Sequence, residues 1–366
     1  MDKNLLHNIA LTLVSDIGPV LAKLLISYCG SAEAVFSASK KELSKIPQVG
    51  LKTINKITNN AEAFAKAEAQ IKYLDKIGGK AETFHSEDYP QRLKHFDSSP
   101  LVLYYRGEMN LNHPRTVAII GTRKPTDQGR INCEKLVQGL QLYGVQIISG
   151  LAYGIDTCAH TEAVKLGIET IGVMGHGLDR LYPPSNKKLA AQMLDKGGVL
   201  TEFPTETNPD RENFPMRNRI IASMSDVIIV VESKKRGGSI ITAEFANSYN
   251  KDVFAIPGRL NDEVSEGCNR LIKQHKANLL ESADDVGYIM RWDEIDKDRV
   301  VQKALFIDYT PEEQKVIDVL KEAQQITVDA LNYQLKMAPS ALASMLLNLE
   351  FKGAIRSLPG KKYILS

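Results

Sequence analysis

The stretch VQIISGLAYGIDTCAH, residues 145–160, runs an apolar strand into a Ser-Gly turn and then into the start of a helix. A strand that ends at glycine with a helix behind it is a common anion site, because the N–H groups of the first helical turn point at the ligand. A nucleotide cofactor and a nucleic-acid backbone both carry such a phosphate, so the rest of the chain has to decide between them.

Around this stretch, from about 115 to 282, the runs RTVAIIG, VQIISG, ETIGVMG, GVLTEF, DVIIVVE and DVFAIPG alternate with helical patterns. Near-continuous apolar strands separated by amphipathic helices predict a parallel sheet covered on both faces, a Rossmann-like α/β layer. Upstream, residues 1–80 are helical in pattern and broken at SDIGPV and IPQVGLK. Each break sets a glycine, Gly18 or Gly50, before a lysine-bearing helix start with Lys23, or with Lys52 and Lys56. The two turns resemble paired helix-hairpin-helix motifs, whose backbone amides contact DNA phosphate without reading sequence. A small helical module packed on its neighbour is the other reading.

Residues 81–114 form a connecting segment with one apolar aromatic run, Leu101–Tyr105, expected as an edge strand. The central α/β domain is expected over 115–290, a charged linker over 291–305, and a last domain over 306–366. There, TPEEQKVIDVL opens with Thr310 as N-cap, Pro311 in the first turn and Glu313 at the capping-box position. Two further helical stretches and a hairpin around Pro359-Gly360 predict a winged-helix domain.

Composition excludes several classes. Apolar residues make up 43% of the 366-residue chain and charged ones 25%, and no apolar run approaches the ~20 residues of a membrane span. The N-terminus lacks the pattern of a signal peptide, and the expected location is the cytoplasm. The four cysteines are scattered without a C-x-x-C pair, and the seven histidines lack ligand spacing, so no metal is expected. Lys and Arg (46) nearly balance Asp and Glu (44). A polyanion would therefore be held by local clusters and not by a global basic field.

In an open parallel sheet ligands sit beyond the carboxyl ends of the strands. The residues there include Gly121-Thr122-Arg123, Ser149-Gly150, Gly175-His176-Gly177 and the run from Glu232 to Ser239. A dinucleotide site needs G-x-G-x-x-G after the first strand, where this chain has IIGTRKPTDQG, and the P-loop signature G-x-x-x-x-G-K-[ST] is absent. No cofactor is expected. The strand ends offer a row of anion sites instead: Arg123, Arg211, Arg217, Arg219 and the 234–236 cluster with Lys235, beside amides at Ser149-Gly150 and Gly237-Gly238-Ser239. In NPDRENFPMRNRIIA, Phe214 lies three residues after Arg211 and three before Arg217. Interleaved cations and rings are the means by which single strands are gripped, though a core phenylalanine beside solvated arginines gives the same pattern.

The runs AIIGTRKPTDQG, SGLAYGIDTCAH, GHGLDRLYPPSN, TEFP, NFPMRNRIIA, VIIVVESKKRGGSIITAEFA, FAIPG and GCNRLIKQHKANLL resemble, in this order, the DNA-processing protein A family (DprA, also called Smf). The flanking hairpin-helix and winged-helix segments match its accessory domains more loosely. The resemblance implies a homodimer that binds single-stranded DNA without sequence preference, protects it and loads the RecA recombinase during natural transformation. It puts Arg123 on the arginine of a Gly-[Ser/Thr]-Arg backbone-contacting motif and Ser149-Gly150 on the adjoining phosphate turn. Arg211 falls on a position that is usually Lys, and Phe214 on the base-stacking ring. Arg217, Asn218 and Arg219 fall on the RNR run, and Gly237-Gly238-Ser239 on a phosphate loop. Tyr153 stands where a basic residue is frequent, and His176 where a small one is.

The rival reading is enzymatic. RGGSIITAEFA also looks like the G-G-x-G-T-x-x-E loop of the lysine-decarboxylase-like phosphoribohydrolases, nucleotide N-glycoside hydrolases, with Ile240 in place of a glycine and Glu244 as the acting carboxylate. Asp156 and His160, at i and i+4, would be its acid–base pair. The winged helix is expected to serve packing or a partner protein, because PSALASMLLNLEFK carries only Lys352 and few groups that read base edges. Its wing bears Arg356, Lys361 and Lys362.

Overall fold

Caps written into the sequence start the N-terminal helices: α1 (Lys3–Leu13), α2 (Pro19–Cys29), α3 (Ala32–Ser37), α4 (Lys40–Leu43), α5 (Leu51–Thr58) and α6 (Ala61–Ile77). Asp2 caps α1 by accepting the Asn4 N–H at 2.8 Å, and Ser39 with Glu42 closes a capping box on α4. The glycines at the two sequence breaks, Gly18 and Gly50, are the N-caps of α2 and α5. Ile9, Leu25, Leu43, Ile54 and Ile57 build a core that continues onto Leu101, Val102 and Tyr104, so this module packs on one end of the sheet. Lys23 turns inward, donating to the Phe96 carbonyl at 3.3 Å with its ammonium 4.5 Å from the Phe84 ring centre. Lys56 pairs with Asp16, which leaves Lys52 exposed. The hairpins therefore pack on their neighbour, with two of their three lysines engaged within the chain.

This computed structural model describes residues 2–292, 309–323, 325–358, 360 and 362–365, in two compact units, 1–295 and 296–366. The expected linker lies outside the described residues from 293 on, as do Pro359 and Lys361.

After α6 come β1 (Lys80–Thr83), α7 (Gln91–Lys94), β2 (Val102–Arg106), β3 (Thr116–Ile120), α8 (Asp127–Leu140), β4 (Gln146–Ser149), α9 (Ile155–Leu166), β5 (Thr170–Val173), α10 (Lys187–Met193) and β6 (Gly197–Thr201). The chain then crosses back through α11 (Asn213–Met224) to β7 (Val227–Val230), α12 (Gly238–Ser248), β8 (Asp252–Ala255), α13 (Glu266–Lys273), β9 (Asn278–Leu279) and α14 (Ala283–Met290). All six apolar runs are strands of one sheet, ordered β1-β2-β6-β5-β4-β3-β7-β8-β9. The pairs from β6 to β9 are parallel, while β2 lies antiparallel to both β1 and β6. Leu101–Tyr105 is therefore not an edge: β2 is interior, and β1 takes the edge.

Strand alternation divides the core. Ala118, Ile120, Ile148, Ile228 and Val230 meet Ile220, Ile221 and Ala222 of α11 and Ala243 and Ala246 of α12. Val117, Ile119, Ile147, Val227 and Ile229 meet α8, α9 and α14 on the opposite face. With both faces covered, the strands can be apolar throughout. From β3 the chain winds outward through β4, β5 and β6, then returns to place β7 on the other side of β3. This reversal opens a crevice at the carboxyl ends of β3 and β7, where such sheets bind ligands.

In the second unit, helices Pro311–Ala323, Val328–Leu335 and Pro339–Phe351 join a three-stranded sheet of Ile326–Thr327, Ile355–Leu358 and Lys362–Leu365, a winged-helix arrangement. Val316, Leu320, Leu331, Leu342, Leu346, Leu349 and Ile355 are its core. The capping box forms: Thr310 N–H donates to Glu313 at 2.8 Å, and Glu313 N–H donates to the Thr310 hydroxyl at 3.2 Å. Lys352 donates to both Glu313 carboxylate oxygens at 2.8 Å, so the one lysine of PSALASMLLNLEFK is held inside its own unit.

Candidate nucleic-acid interface

The crevice is a cleft of about 610 Å³ whose first wall is the loop after β3. At Gly121 a Cβ would stand 2.6 Å from the Ile155 side chain, so glycine lets α9 approach the strand end. The loop is fixed from both sides. Thr122 N–H donates to the Glu232 carbonyl at 2.8 Å, and Ile155 N–H donates to the Thr122 carbonyl at 3.2 Å. The buried Glu232 carboxylate accepts from the Thr126 N–H at 2.9 Å and from its hydroxyl at 2.5 Å. Glu232 thereby ties the end of β7 to the start of α8 and holds Arg123 out over the cleft.

The Ser149-Gly150 turn differs from its expected role. Ser149 is fully buried and its hydroxyl donates to the Ile119 carbonyl at 2.5 Å. Gly150 N–H donates to Asp156 Oδ2 at 3.1 Å, and Ala152 N–H to the same oxygen at 3.4 Å. The place a phosphate would occupy is thus taken by the chain's own carboxylate. Burial raises the Asp156 pKa, opposed chiefly by the Arg217 charge. Arg217, 4% exposed, donates to the Val173 carbonyl at 2.7 Å. Burial pushes its pKa down to about 10 against the pull of Asp156, so it remains a cation at neutral pH. It forms part of the cleft floor.

Helix α11 forms the second wall. Arg211, Phe214, Arg217 and Asn218 line the cleft. The Phe214 ring is half-buried, with the Arg123 guanidinium carbon 5.3 Å from its centre. Arg219, two positions beyond Arg217, projects from a different side of the helix and pairs with Glu202, whose side chain is 9% exposed. It does not line the cleft, which corrects its assignment to the DNA-contacting run. Next to Phe214 stands an aromatic that spacing did not disclose: the Tyr182 ring centre is 6.0 Å from Phe214 and 6.5 Å from Tyr153. His176 holds that loop, since Tyr182 N–H donates to its Nε2 at 3.2 Å and its Nδ1 lies 3.0 Å from the Gly177 carbonyl. Burial lowers the pKa of this imidazole.

The third wall is the start of α12. Gly237 is its N-cap and has no side-chain cap, so the helix presents the Gly238 and Ser239 end to the cleft. The Ser239 hydroxyl donates to the Ser233 hydroxyl at 2.8 Å, which sets the turn. Arg236 lines the cleft, and Lys234 does so while paired with Glu263. Lys235, the predicted cation of this cluster, is exposed outside the lining. Ten of the fourteen expected residues therefore meet around one cleft, while Ser149, Gly150, Arg219 and Lys235 do not line it.

Of the groups the hydrolase reading needs, Asp156 lines the cleft but Glu244 and His160 do not. Glu244 accepts from Lys276 at 2.8 Å on the exposed face of α12 and does not line the cleft. His160 is fully buried against the Thr170 hydroxyl at 2.7 Å, and burial pushes its pKa down to about 3. It is neutral and faces no solvent. Among the described residues no group of His, Cys, Asp and Glu suits a metal ion, and no helix is long and apolar enough to cross a membrane.

Residues 80–290 match the family of DNA recombination-mediator protein A, 307–361 the DprA winged-helix domain, and 9–63 a SAM-like helix-hairpin-helix tandem. Protein Smf of Synechocystis is 38% identical over 71% of this chain and 66% of its own length. The DNA processing protein DprA of Streptococcus pneumoniae is 44% identical over 54% of this chain and 70% of its own. The X-ray structure of the S. pneumoniae protein superposes with a TM-score of 0.60 at 33% identity, covering 78% of this chain and 96% of that one. A solved structure of Helicobacter pylori DNA processing protein A, studied for its single-stranded DNA binding mode, gives 0.53 at 30%, covering 58% and 98%. A match across more than half the chain, followed by a DprA winged-helix match, gives the assignment: the chain belongs to the DNA recombination-mediator protein A (DprA/Smf) family.

Proposed function

We propose that the cleft binds single-stranded DNA without reading its sequence. The observation that carries this is the state of its cations: Arg123, Arg211 and Arg236 line one crevice, and none has a carboxylate partner within ion-pair distance among the described residues. They surround a half-buried ring and the positive end of α12. Unneutralised cations spaced around a ring suit an extended polyanion with exposed bases, because charge tracks the backbone while any base can stack. A duplex keeps its bases paired and offers the ring nothing.

In this reading Arg123, Arg211 and Arg236 take phosphates, the α12 amides a further one, and Phe214 a base, with Asn218 beside it. Arg217 and Asp156 shape the floor. The family membership supports the wider role in which a homodimer protects incoming DNA and passes it to the RecA recombinase during natural transformation in the cytoplasm. Two aligned clefts would raise apparent affinity through effective concentration. Fluorescence anisotropy with single-stranded and duplex oligonucleotides of one sequence, across salt, tests the core proposal. Tighter binding to the single strand is expected, similar for unrelated sequences, with log K falling by ~0.7 per phosphate contact for each unit of log salt. Equal affinity for the duplex would overturn it. RecA strand exchange on single-stranded DNA with and without a precoat of this protein tests the wider role.

A further inference from the structure

A second hollow of about 540 Å³ adjoins the cleft on the far side of Arg123, which lines both. Its wall carries two more cations, Lys124 and Arg130, and the Tyr153 ring. Both cations are exposed, and neither is ion-paired among the described residues. Tyr153 is 44% exposed, a large ring left open to solvent at the strand-end face. It is the last of a file, Phe214, Tyr182, Tyr153, whose centres step by 6.0 and 6.5 Å with planes inclined at 46° and 76°. Rings so inclined make a stepped ledge and not a closed stack, and the steps are wider than the ~3.4 Å rise of one strand in B-DNA. An unstacked strand fits such a ledge.

We propose that this hollow is a second subsite for the same strand, taking the next phosphate between Lys124 and Arg130 and a base on Tyr153. The strand then runs from Arg236 past Phe214, over Arg123, and out along Tyr182 and Tyr153. The inference rests on the reading of the cleft as a single-strand site and extends its footprint. Tyr153 supplies the stacking face at this end, while Lys124 and Arg130 supply charge that the tyrosine lacks.

The test is anisotropy on the full chain with a length series of oligothymidylates, comparing wild type with Lys124→Ala/Arg130→Ala, Tyr153→Ala, Tyr153→Phe and Arg123→Ala. Oligomers long enough to leave the cleft should bind the double variant several-fold more weakly, with the salt slope reduced by about 0.7 for the one phosphate the pair neutralises. The shortest oligomers that bind at all should bind it as they bind wild type. Tyr153→Ala should cost on the order of tenfold with the slope unchanged, and Tyr153→Phe should restore affinity, since stacking needs only the ring. Wild-type affinity and slope for the double variant on long oligomers would overturn the second subsite. If Arg123→Ala still weakens binding in that case, the cleft reading survives alone. If Arg123→Ala also binds as wild type, the cleft reading has failed and this extension with it. A loss that is equal at every length would place Lys124 and Arg130 in the general field of the protein and likewise overturn the subsite.

Discussion

The guanidinium carbon of Arg123 lies 5.3 Å from the centre of the Phe214 ring, so the loop after β3 and the helix that returns to β7 meet at a cation over an aromatic face. The contact orients both partners for a ligand, because the arginine is held over the ring and the ring is held at the cleft wall. Exposed pairs of this kind contribute ~0.5–1 kcal/mol.

A double-mutant cycle on DNA affinity should therefore be non-additive. Arg123→Ala is expected to weaken binding to all sequences alike and to lower the salt slope by ~0.7. Phe214→Ala should cost ~1–3 kcal/mol of binding with the slope intact. Together they should cost less than the sum, since each single change also frees its partner. Strict additivity in anisotropy titrations would show that the two act separately.

Gly150 is small because Arg217 occupies the space beside it: a Cβ there would overlap the guanidinium. Gly150→Ala should push Arg217 off the Val173 carbonyl and lower stability by ~1–3 kcal/mol, the usual cost of overpacking. In an Arg217→Ala background the same change should cost close to nothing further. Urea denaturation midpoints of the four proteins check this, and equal costs in both backgrounds would count against the steric account.

The Glu202–Arg219 pair makes a pH prediction. Burial raises the Glu202 pKa from its ordinary 4.5 to about 6 in spite of Arg219, so the folded protein holds this proton more tightly than the unfolded chain. Its contribution to stability is complete below pH about 4.5 and is lost as pH rises through about 6, a fall of ~2 kcal/mol at most. Glu202→Gln removes this titration. The stability of the variant relative to wild type should rise by that amount between pH 4.5 and 7. His160, with its pKa lowered by burial, acts in the opposite sense over pH 3 to 6.5 but is common to both proteins and cancels in the difference.

The sheet was legible because its strands are buried on both faces, which forces unbroken apolar runs such as VAII and VIIV. The capping box at Thr310 and Glu313 was legible because its partners are three residues apart. What spacing missed depends on distant partners. The run Leu101–Tyr105 has an edge-strand composition, yet it lies between β1 and a strand almost a hundred residues on. A Ser-Gly turn before a helix signals phosphate, but the Asp156 carboxylate six residues on already fills it. Alternate arginines in RNRII point to different sides of a helix, and the partner of Arg219 is on another element. Tyr182 comes to stand beside Phe214 only because His176 holds its loop there. Its presence in GHGLDRLYPPSN was visible, and its neighbour was not.

Lys235 and Arg236 are adjacent, carry the same charge and are both exposed, but Arg236 lines the cleft and Lys235 does not. Removing either takes one positive charge from the same loop, within the ~8 Å over which exposed charges act at physiological salt. The long-range effect on association is therefore nearly equal for the two. The difference between them isolates direct contact with the strand. Arg236→Ala should weaken single-strand binding several-fold and lower the salt slope by ~0.7, mostly through faster dissociation. Lys235→Ala should leave the dissociation rate as in wild type and act on the association rate at low salt. Stopped-flow measurement of both rates separates them, and a faster dissociation from Lys235→Ala than from Arg236→Ala would mean that the strand follows a different side of the 234–239 loop.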